Sequence, residues 1–216
     1  STPFGMTDPQ FGLDVSFYTF ELPFLKFLLG FAFAATFIAL VLAVVVHYLF
    51  GGLRLQPKGD RATTAAQVQI SITVAIFLFL KAIAYWVDRY DLVIQSSDLA
   101  GGFTGLQYTD VNAKIPALNI LTFVALLVAV LFLFNAFRRQ WIIPLIGLAL
   151  MVLTSVIVGG VYPLIVQQFQ VRPTELGRER PYIERNIEAT RTAYKIDDAE
   201  IEEHVRHLLE RRASGQ

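Results

Sequence analysis

Four long apolar runs dominate the pattern of hydrophobic and polar residues along the chain. They occupy residues 22–50, 68–87, 117–137 and 142–166. A bilayer core about 30 Å thick needs about 20 apolar residues of helix, and each run meets that length without the alternation of a membrane strand. The pattern therefore predicts an all-α membrane protein with four transmembrane helices and a short polar helical tail.

The polar segments outside these runs divide the chain into three parts. Residues 1–21 form an N-terminal segment, residues 22–170 the transmembrane region with a long loop at 88–115, and residues 171–216 the tail. About half of the charged residues lie in that tail, where apolar residues between 201 and 209 follow helical spacing. So narrow a stripe on so short a segment cannot form a sizeable core. We expect the tail to dock on a partner.

Glycines and prolines mark the expected interruptions of the helices. Gly159, Gly160 and Pro163 predict a weakened or kinked fourth helix near its end, because proline cannot donate the helical hydrogen bond. Pro173 and Pro181 predict breaks in any helix that continues beyond the fourth span. Polar helices are expected afterwards, at residues 182–193 and 198–212.

The charges of the connections predict an orientation. Arg54, Lys58 and Arg61 lie between the first two runs, and Arg138 and Arg139 lie between the last two. Short loops rich in lysine and arginine favour the cytoplasm, so the N-terminus, the long loop and the tail are expected on the extracytoplasmic side. The arginines that closely follow the fourth run favour the opposite orientation.

Composition supports a membrane protein and excludes several kinds of chemistry. The chain is 55% hydrophobic and 17% charged, whereas soluble domains average about 25% charged residues. A net charge of zero lacks the basic footprint of nucleic-acid binding. There is no cysteine for disulfides, thiolate catalysis or metal ligation. P-loop, G-x-S-x-G, H-E-x-x-H and dinucleotide motifs are also absent, so we predict no enzyme.

The start of the chain bears on its completeness. It begins at Ser1 without an initiator methionine or a signal sequence. We therefore expect a piece of a longer or processed polypeptide.

One charged residue lies well inside a span. Lys81 is about two turns from the end of the second run, and Tyr85 and Asp88 follow on the same helix face. A buried ammonium is costly, so a lysine at this depth indicates function by default. Three interpretations stay open: a lysine that reaches outward to Asp88 or a lipid phosphate, an ion or substrate site, and an ion pair with another helix.

Small residues at four-residue spacing predict surfaces for helix packing. Ala35, Ala39 and Ala43 form such a stripe in the first span, and Ser155 and Gly159 form one in the fourth. Small side chains let helix backbones approach closely in a membrane. We therefore expect these spans to pack against neighbouring helices, in this chain or in another.

The candidates for cofactor and metal binding are weak, and the sequence identifies no cofactor. His47 could ligate a chlorin or haem iron, but no second histidine lies in a span, which favours an interfacial hydrogen bond. Oxygen-rich or histidine clusters could hold a metal ion, although a structured loop and a solvated helix explain them better. Their members are Asp88, Asp91, Asp110, His204 and His207.

Several exact strings identify a family resemblance. They include DPQFGLDVSFY at residues 8–18, KAIAYWVDRY at 81–90, YTDVNA at 108–113, PLIVQQ at 163–168 and ATRTAY at 189–194. From Phe4 to Tyr194 the chain resembles uncharacterised protein family 0182, a group of large bacterial multi-pass membrane proteins. The resemblance implies further transmembrane helices before this segment, a large extracytoplasmic domain after it, and a location in the bacterial inner membrane. Beyond Lys195 the sequence departs from the family.

These observations favour a non-enzymatic integral membrane subunit. It would pack against other membrane helices and dock partners through its extracytoplasmic loop and tail. Its expected partners are the lipid bilayer and other membrane protein subunits, or the remainder of a longer polypeptide. The alternative is a transport or envelope-lipid-handling protein with a polar site around Lys81.

Overall fold

The computed structural model describes residues 2–53, 62–95, 105–138 and 141–194. In these ranges the chain is helical, with two isolated β-bridges, Thr7 to Asp14 and Leu53 to Ala62. The α-helices are α1 (Leu22–Leu49), α2 (Thr64–Asp91), α3 (Ile115–Arg138), α4 (Ile142–Val156), α5 (Tyr162–Ile165) and α6 (Glu175–Tyr194). Four helical stretches are long and apolar enough to cross a membrane: Phe17–Leu49, Thr64–Ile94, Asp110–Arg138 and Ile142–Thr174. The expected all-α class with four such helices is confirmed.

The second helix extends beyond its apolar run at both ends. Thr63 caps its start, since its hydroxyl oxygen accepts a hydrogen bond from the Ala66 N–H at 3.4 Å. At the other end α2 passes the first polar residues and stops at Asp91, and a 3₁₀ turn follows at Leu92–Ile94. Polar residues end an apolar run without ending a helix. Asp88 and Asp91 therefore lie on α2 rather than in a loop.

The fourth stretch departs from regular α-helix at its glycines and proline. α4 is followed by a π-helical turn at Ile157–Val161, which contains Gly159 and Gly160. A second π-helical turn, Val166–Val171, follows α5. Glycine and proline favour such departures, because one lacks a side chain and the other lacks an N–H. The expected interruption of this helix is confirmed.

The polar helix α6 begins at Glu175, closer in sequence to the fourth helical stretch than expected. Pro173 lies in a 3₁₀ turn, Arg172–Thr174, but Pro181 lies inside α6, so the break expected there is wrong. A proline ring collides with the carbonyl four residues earlier. That residue is Gly177, and α6 nevertheless continues through Pro181. The helix expected at 198–212 lies outside the described residues.

The centre of the bundle is the packing of α2 against α3, with α1 on α2 and α4 on α3. Small side chains are buried where the two central helices meet: Ala75, Ala82, Ala125 and Ala129. Phe132 of α3 fills the space beside them and is 2% exposed. Small residues permit close approach of the backbones. This alanine seam was missed by the sequence analysis, although its alanines recur at helical spacing.

The small-residue stripe of α1 is mostly open. Ala43 is buried, whereas Ala35 and Ala39 are exposed. A four-residue step advances about 40° around an α-helix, so the stripe winds away from the bundle. Only 6% of the apolar window of this helical stretch is buried, against 39% for the second.

Candidate functional site

Among the described residues, most polar contacts between elements lie at one end of the bundle, called here the capped end. It comprises the N-terminal segment 2–21, the end of α2, residues 105–114 before α3, and α6. The opposite end holds the connection of α1 to α2 and the connection of α3 to α4. The capped end is therefore the best place to look for a site.

Asp14 organises the start of the N-terminal segment. Its carboxylate accepts hydrogen bonds from the Phe4 and Gly5 N–H groups, both at 3.0 Å, and from the Ser16 N–H at 2.8 Å. The backbone hydrogen bond from Phe4, followed by those from Ser16, lowers the pKa of Asp14 to about 2. The charged form of the Asp14 carboxylate therefore stabilises the fold of this segment.

Asp8 holds a second turn in the same segment. Its Oδ2 accepts from the Phe11 N–H at 2.6 Å, the Gln10 N–H at 3.1 Å and the Tyr18 hydroxyl at 3.3 Å. Asp8 is 9% exposed. Its orientation is therefore fixed by the surrounding backbone.

Aromatic rings attach the N-terminal segment to α2. The ring of Tyr90 packs edge-on against Phe11 at 4.9 Å and against Phe17 at 5.4 Å, measured between centroids. Such pairs contribute about 0.5–1.5 kcal/mol beyond burial. This contact places Asp8 beside the end of α2.

The three residues of the proposed intramembrane site adopt a definite geometry. The Lys81 Nζ lies 4.3 Å from the centroid of the Tyr85 ring, a cation–π contact. The Tyr85 hydroxyl lies 3.4 Å from Ser155 Oγ of α4. Asp88 is half-buried, and no ion pair joins it to Lys81 in the described part of the chain. Lys81 therefore meets an aromatic face rather than the carboxylate.

Charged groups near the end of α2 have partners that the sequence analysis missed. Lys26 of α1 pairs with Asp91 at 2.8 Å. Arg89 is 8% exposed and donates from Nε to the Trp86 carbonyl at 3.1 Å and from Nη1 to Asn119 Oδ1 at 2.9 Å. Its guanidinium lies 3.5 Å from the Trp86 ring centroid. The only sequence signal for this arrangement was the position of a basic residue, Arg89, close to Trp86 and Tyr90.

The polar helix α6 is attached to the residues before α3 by a buried acid. Glu179 is 0% exposed, and its two carboxylate oxygens lie 3.0 and 3.3 Å from the Tyr108 N–H. Arg178 donates to the Tyr108 hydroxyl, and Asn112 Nδ2 donates to the Tyr182 hydroxyl at 3.4 Å. A hydrogen bond to a charged group is stronger than a neutral one. α6 is therefore docked on the bundle.

A cavity of about 160 Å³, called here the cap cavity, lies between the N-terminal segment and α6. Its apolar lining includes Val93 and Leu106, and its polar lining comes from Asp8, Gln10, Tyr182, Arg185 and Asn186. Gly105 at its edge has a φ of +147°, and an added Cβ would lie 3.2 Å from the Asn186 side chain. Glycine is favoured there by both conformation and space.

At the opposite end, polar contacts bridge neighbouring helices. His47 Nε2 of α1 lies 3.0 Å from Gln69 Oε1 of α2. The turn after α1 needs Gly52, because a Cβ there would lie 2.9 Å from His47 Nδ1. The weak cofactor candidate is thus engaged in an interhelical hydrogen bond.

Inside the bundle, a polar pair joins the central helices. Asn135 Nδ2 of α3 donates to Ser71 Oγ of α2 at 2.9 Å, and both residues are buried. The Asn135 Oδ1 has no hydrogen-bond partner in the described part of the chain. A polar group of this kind is costly in an apolar surrounding.

The metal candidates are distributed over separate elements. Asp88 and Asp91 lie on α2, whereas Asp110 begins the third helical stretch and pairs with Lys114 at 2.8 Å. Among the described residues, no three histidine or acidic side chains cluster as a metal site. The candidates His204 and His207 lie outside the described residues, as do Arg54, Lys58, Arg61 and Arg139.

The small-residue stripe of α4 faces α3. A Cβ added at Gly159 would lie 3.1 Å from Leu121 Cδ1, and one added at Gly147 would lie 3.0 Å from Leu131 Cδ1. Ser155 lies between them in sequence and reaches Tyr85. Sequence analysis found Ser155 and Gly159 but missed Gly147, which lies eight residues before Ser155 and therefore near the same helix face.

Comparison with known proteins gives the family. A family model described as an uncharacterised protein family, UPF0182, matches residues 1–213. The chain is 50% identical over 204 residues to a UPF0182 protein of Streptomyces coelicolor, covering 94% of this chain and 20% of that protein. It is 52% identical over 195 residues to one of Frankia alni, covering 90% and 19%. No solved structure matches.

Two facts follow from these matches. The chain spans about a fifth of the length of the curated relatives. The family match continues to residue 213, so the departure expected beyond Lys195 is wrong. The chain belongs to the uncharacterised protein family UPF0182.

Proposed function

We propose that this chain is a non-enzymatic, membrane-embedded module of a longer bacterial protein, in which α1 packs against further membrane helices. The observation that carries the proposal is the exposure of α1: only 6% of its apolar window is buried, and Ala35 and Ala39 are open. Association of helices in a membrane depends on small residues that permit close approach. The relatives are about five times longer than the chain, which supplies room for such neighbours.

The capped end is the proposed docking surface for partners outside the membrane. Its support is the set of long-range contacts that hold α6 and the N-terminal segment on the bundle, including Glu179 with Tyr108 and Tyr90 with Phe11. A surface held in this way is preorganised, which lowers the cost of binding. The charges of the connections favour an extracytoplasmic location for this end.

The packing proposal is tested in the full-length protein by enlarging one residue of the open stripe. Ala39→Leu should lower the thermal stability of the detergent-purified protein, because the larger side chain prevents close approach of the neighbouring helix. Ala34→Leu is the matched control, since Ala34 is also exposed but lies on another face of α1. Equal, unchanged stability of both variants would contradict the proposal.

The orientation is tested by labelling single cysteines in intact cells. Gln95→Cys lies at the capped end and Thr64→Cys at the opposite end of α2. We expect a membrane-impermeant maleimide to label Gln95→Cys only. Labelling of Thr64→Cys alone would invert the orientation.

A second candidate function is transport or envelope-lipid handling with a polar site around Lys81. The observation that favours it is the series Lys81, Tyr85 and Ser155, which continues from α2 to α4. Lys81→Arg keeps the charge, whereas Lys81→Met removes it at similar length. This function would be supported if Lys81→Met assembles normally but has the phenotype of a gene deletion, while Lys81→Arg does not. If neither variant has an effect, Lys81 is an anchoring lysine.

A further inference from the structure

The cap cavity combines opposite charges at one small opening. Asp8 and Arg185 both line it, and no ion pair joins them in the described part of the chain. The two groups do not neutralise each other through an ion pair, so the cavity presents a negative and a positive side chain to a ligand. A ligand that carries both signs satisfies both groups, whereas a purely anionic ligand is repelled by Asp8.

Asp8 is held in place by its surroundings, whereas Arg185 is exposed. The Oδ2 of Asp8 is fixed by the Gln10 and Phe11 N–H groups and by the Tyr18 hydroxyl. The Arg185 guanidinium lies 5.7 Å from the Tyr182 ring centroid, and Tyr182 also lines the cavity. A group that is already oriented, such as the Asp8 carboxylate, loses little freedom when a ligand binds.

The cavity lies where the membrane-length helices end. Val93, in the 3₁₀ turn that ends the second helical stretch, forms part of its wall. Trp86 and Tyr90 precede this turn on α2, and aromatic residues of this kind favour the level of lipid headgroups. A volume of about 160 Å³ admits a small polar group of several water-sized units but not an acyl chain.

We propose that the cap cavity binds the phosphoethanolamine headgroup of a membrane phospholipid, with the ammonium at Asp8 and the phosphate at Arg185. The lipid as source rests on the proposed function, because that function places the helices in a bilayer. Gln10 and Tyr182 also line the cavity. The acyl chains extend from the opening along the exposed apolar surface of the helices.

The test is native mass spectrometry of the full-length protein with added phosphatidylethanolamine or phosphatidylglycerol of identical acyl chains. Asp8→Asn keeps an acceptor for the turn but removes the charge, and Arg185→Gln removes the cation. We expect each to lower retention of phosphatidylethanolamine about fivefold, the effect of losing one partly solvated charge contact. Arg180→Gln is the control, since this exposed residue pairs with Glu184 on α6, outside the cavity.

Two further measurements identify the source of the headgroup. Soluble phosphoethanolamine that displaces the lipid at millimolar concentration shows that the cavity also takes the free compound, and no displacement assigns it to the lipid. Equal retention of both lipids, or retention in Asp8→Asn and Arg185→Gln equal to the Arg180→Gln control, would overturn the proposal. Carbonate extraction tests the membrane proposal separately, so a protein that stays in the membrane but retains both lipids equally fails only the headgroup proposal.

Discussion

The helices α1 and α2 have the same length, 28 residues, but very different surroundings. The apolar window of the first helical stretch is 6% buried and that of the second is 39% buried. α1 touches α2 through separated contacts: Lys26 with Asp91 at one end, Phe33 with Phe77 in the middle, and His47 with Gln69 at the other. α2 meets α3 along a continuous alanine seam instead.

The difference shows that apolarity alone does not decide which membrane-length helix is buried. Both helices are apolar, and lipid tails solvate apolar side chains as well as protein does. Burial follows the small residues that permit close approach and the polar groups that need partners. α2 presents both to α3, including Ala75, Ala82 and Ser71.

The largest expected effect compares overpacking in the two regions. Ala125→Leu inserts bulk at a residue that is 0% exposed, and should destabilise the isolated chain by about 1–3 kcal/mol. Ala39→Leu in the same isolated chain should be nearly silent because Ala39 is exposed. Unfolding in mixed micelles measures both. Equal losses would show that α1 is as closely packed as α3.

A smaller effect is expected for the polar pair inside the central packing. A double-mutant cycle of Ser71→Ala and Asn135→Leu should give a coupling of about 0.6 kcal/mol, typical of interhelical hydrogen bonds in membranes. Both residues are buried, so water does not replace the lost contact. A coupling of zero would show that this hydrogen bond does not stabilise the packing of α2 against α3.

The ion pair between α1 and α2 should contribute less. In Lys26 with Asp91 the side chains are 44% and 22% exposed, and exposed pairs contribute about 0.2–1 kcal/mol, reduced by salt. At high salt, a cycle of Lys26→Met and Asp91→Asn should therefore give a coupling below that of Ser71 with Asn135, whose buried hydrogen bond is not screened by salt. A larger coupling, unaffected by salt, would mean that α1 depends on this contact.

The smallest effect concerns the N-terminal segment that precedes α1. The pKa of Asp14 is lowered to about 2 from an ordinary 3.8, so its contribution is present above about pH 4 and is lost as the pH falls towards 2. The protection factors of the Phe4, Gly5 and Ser16 amides should fall over that interval while α2 stays protected. Asp14→Asn should remove this pH dependence, and its persistence would assign the titration to another group.

Much of the capped end was beyond sequence reasoning. The sequence placed Lys81, Tyr85 and Asp88 on one helix face, because helical spacing is local. It did not show that Lys81 lies over Tyr85 without pairing with Asp88, or that Glu179 reaches Tyr108. Those contacts join residues whose positions depend on how separate helices rotate and shift against one another.

The sequence by itself determined the helical class, the four membrane-length helices and the interruption at Gly159 and Gly160. Hydropathy and the conformational limits of glycine and proline act over a few residues, so they can be read directly along the chain. Only the tertiary structure decided that the alanines of α2 and α3 are buried while Ala35 and Ala39 are open, and that Asp8 and Arg185 share a cavity. In the sequence, every small residue is a possible packing contact. The relative rotation of the packed helices decides which of these residues meet.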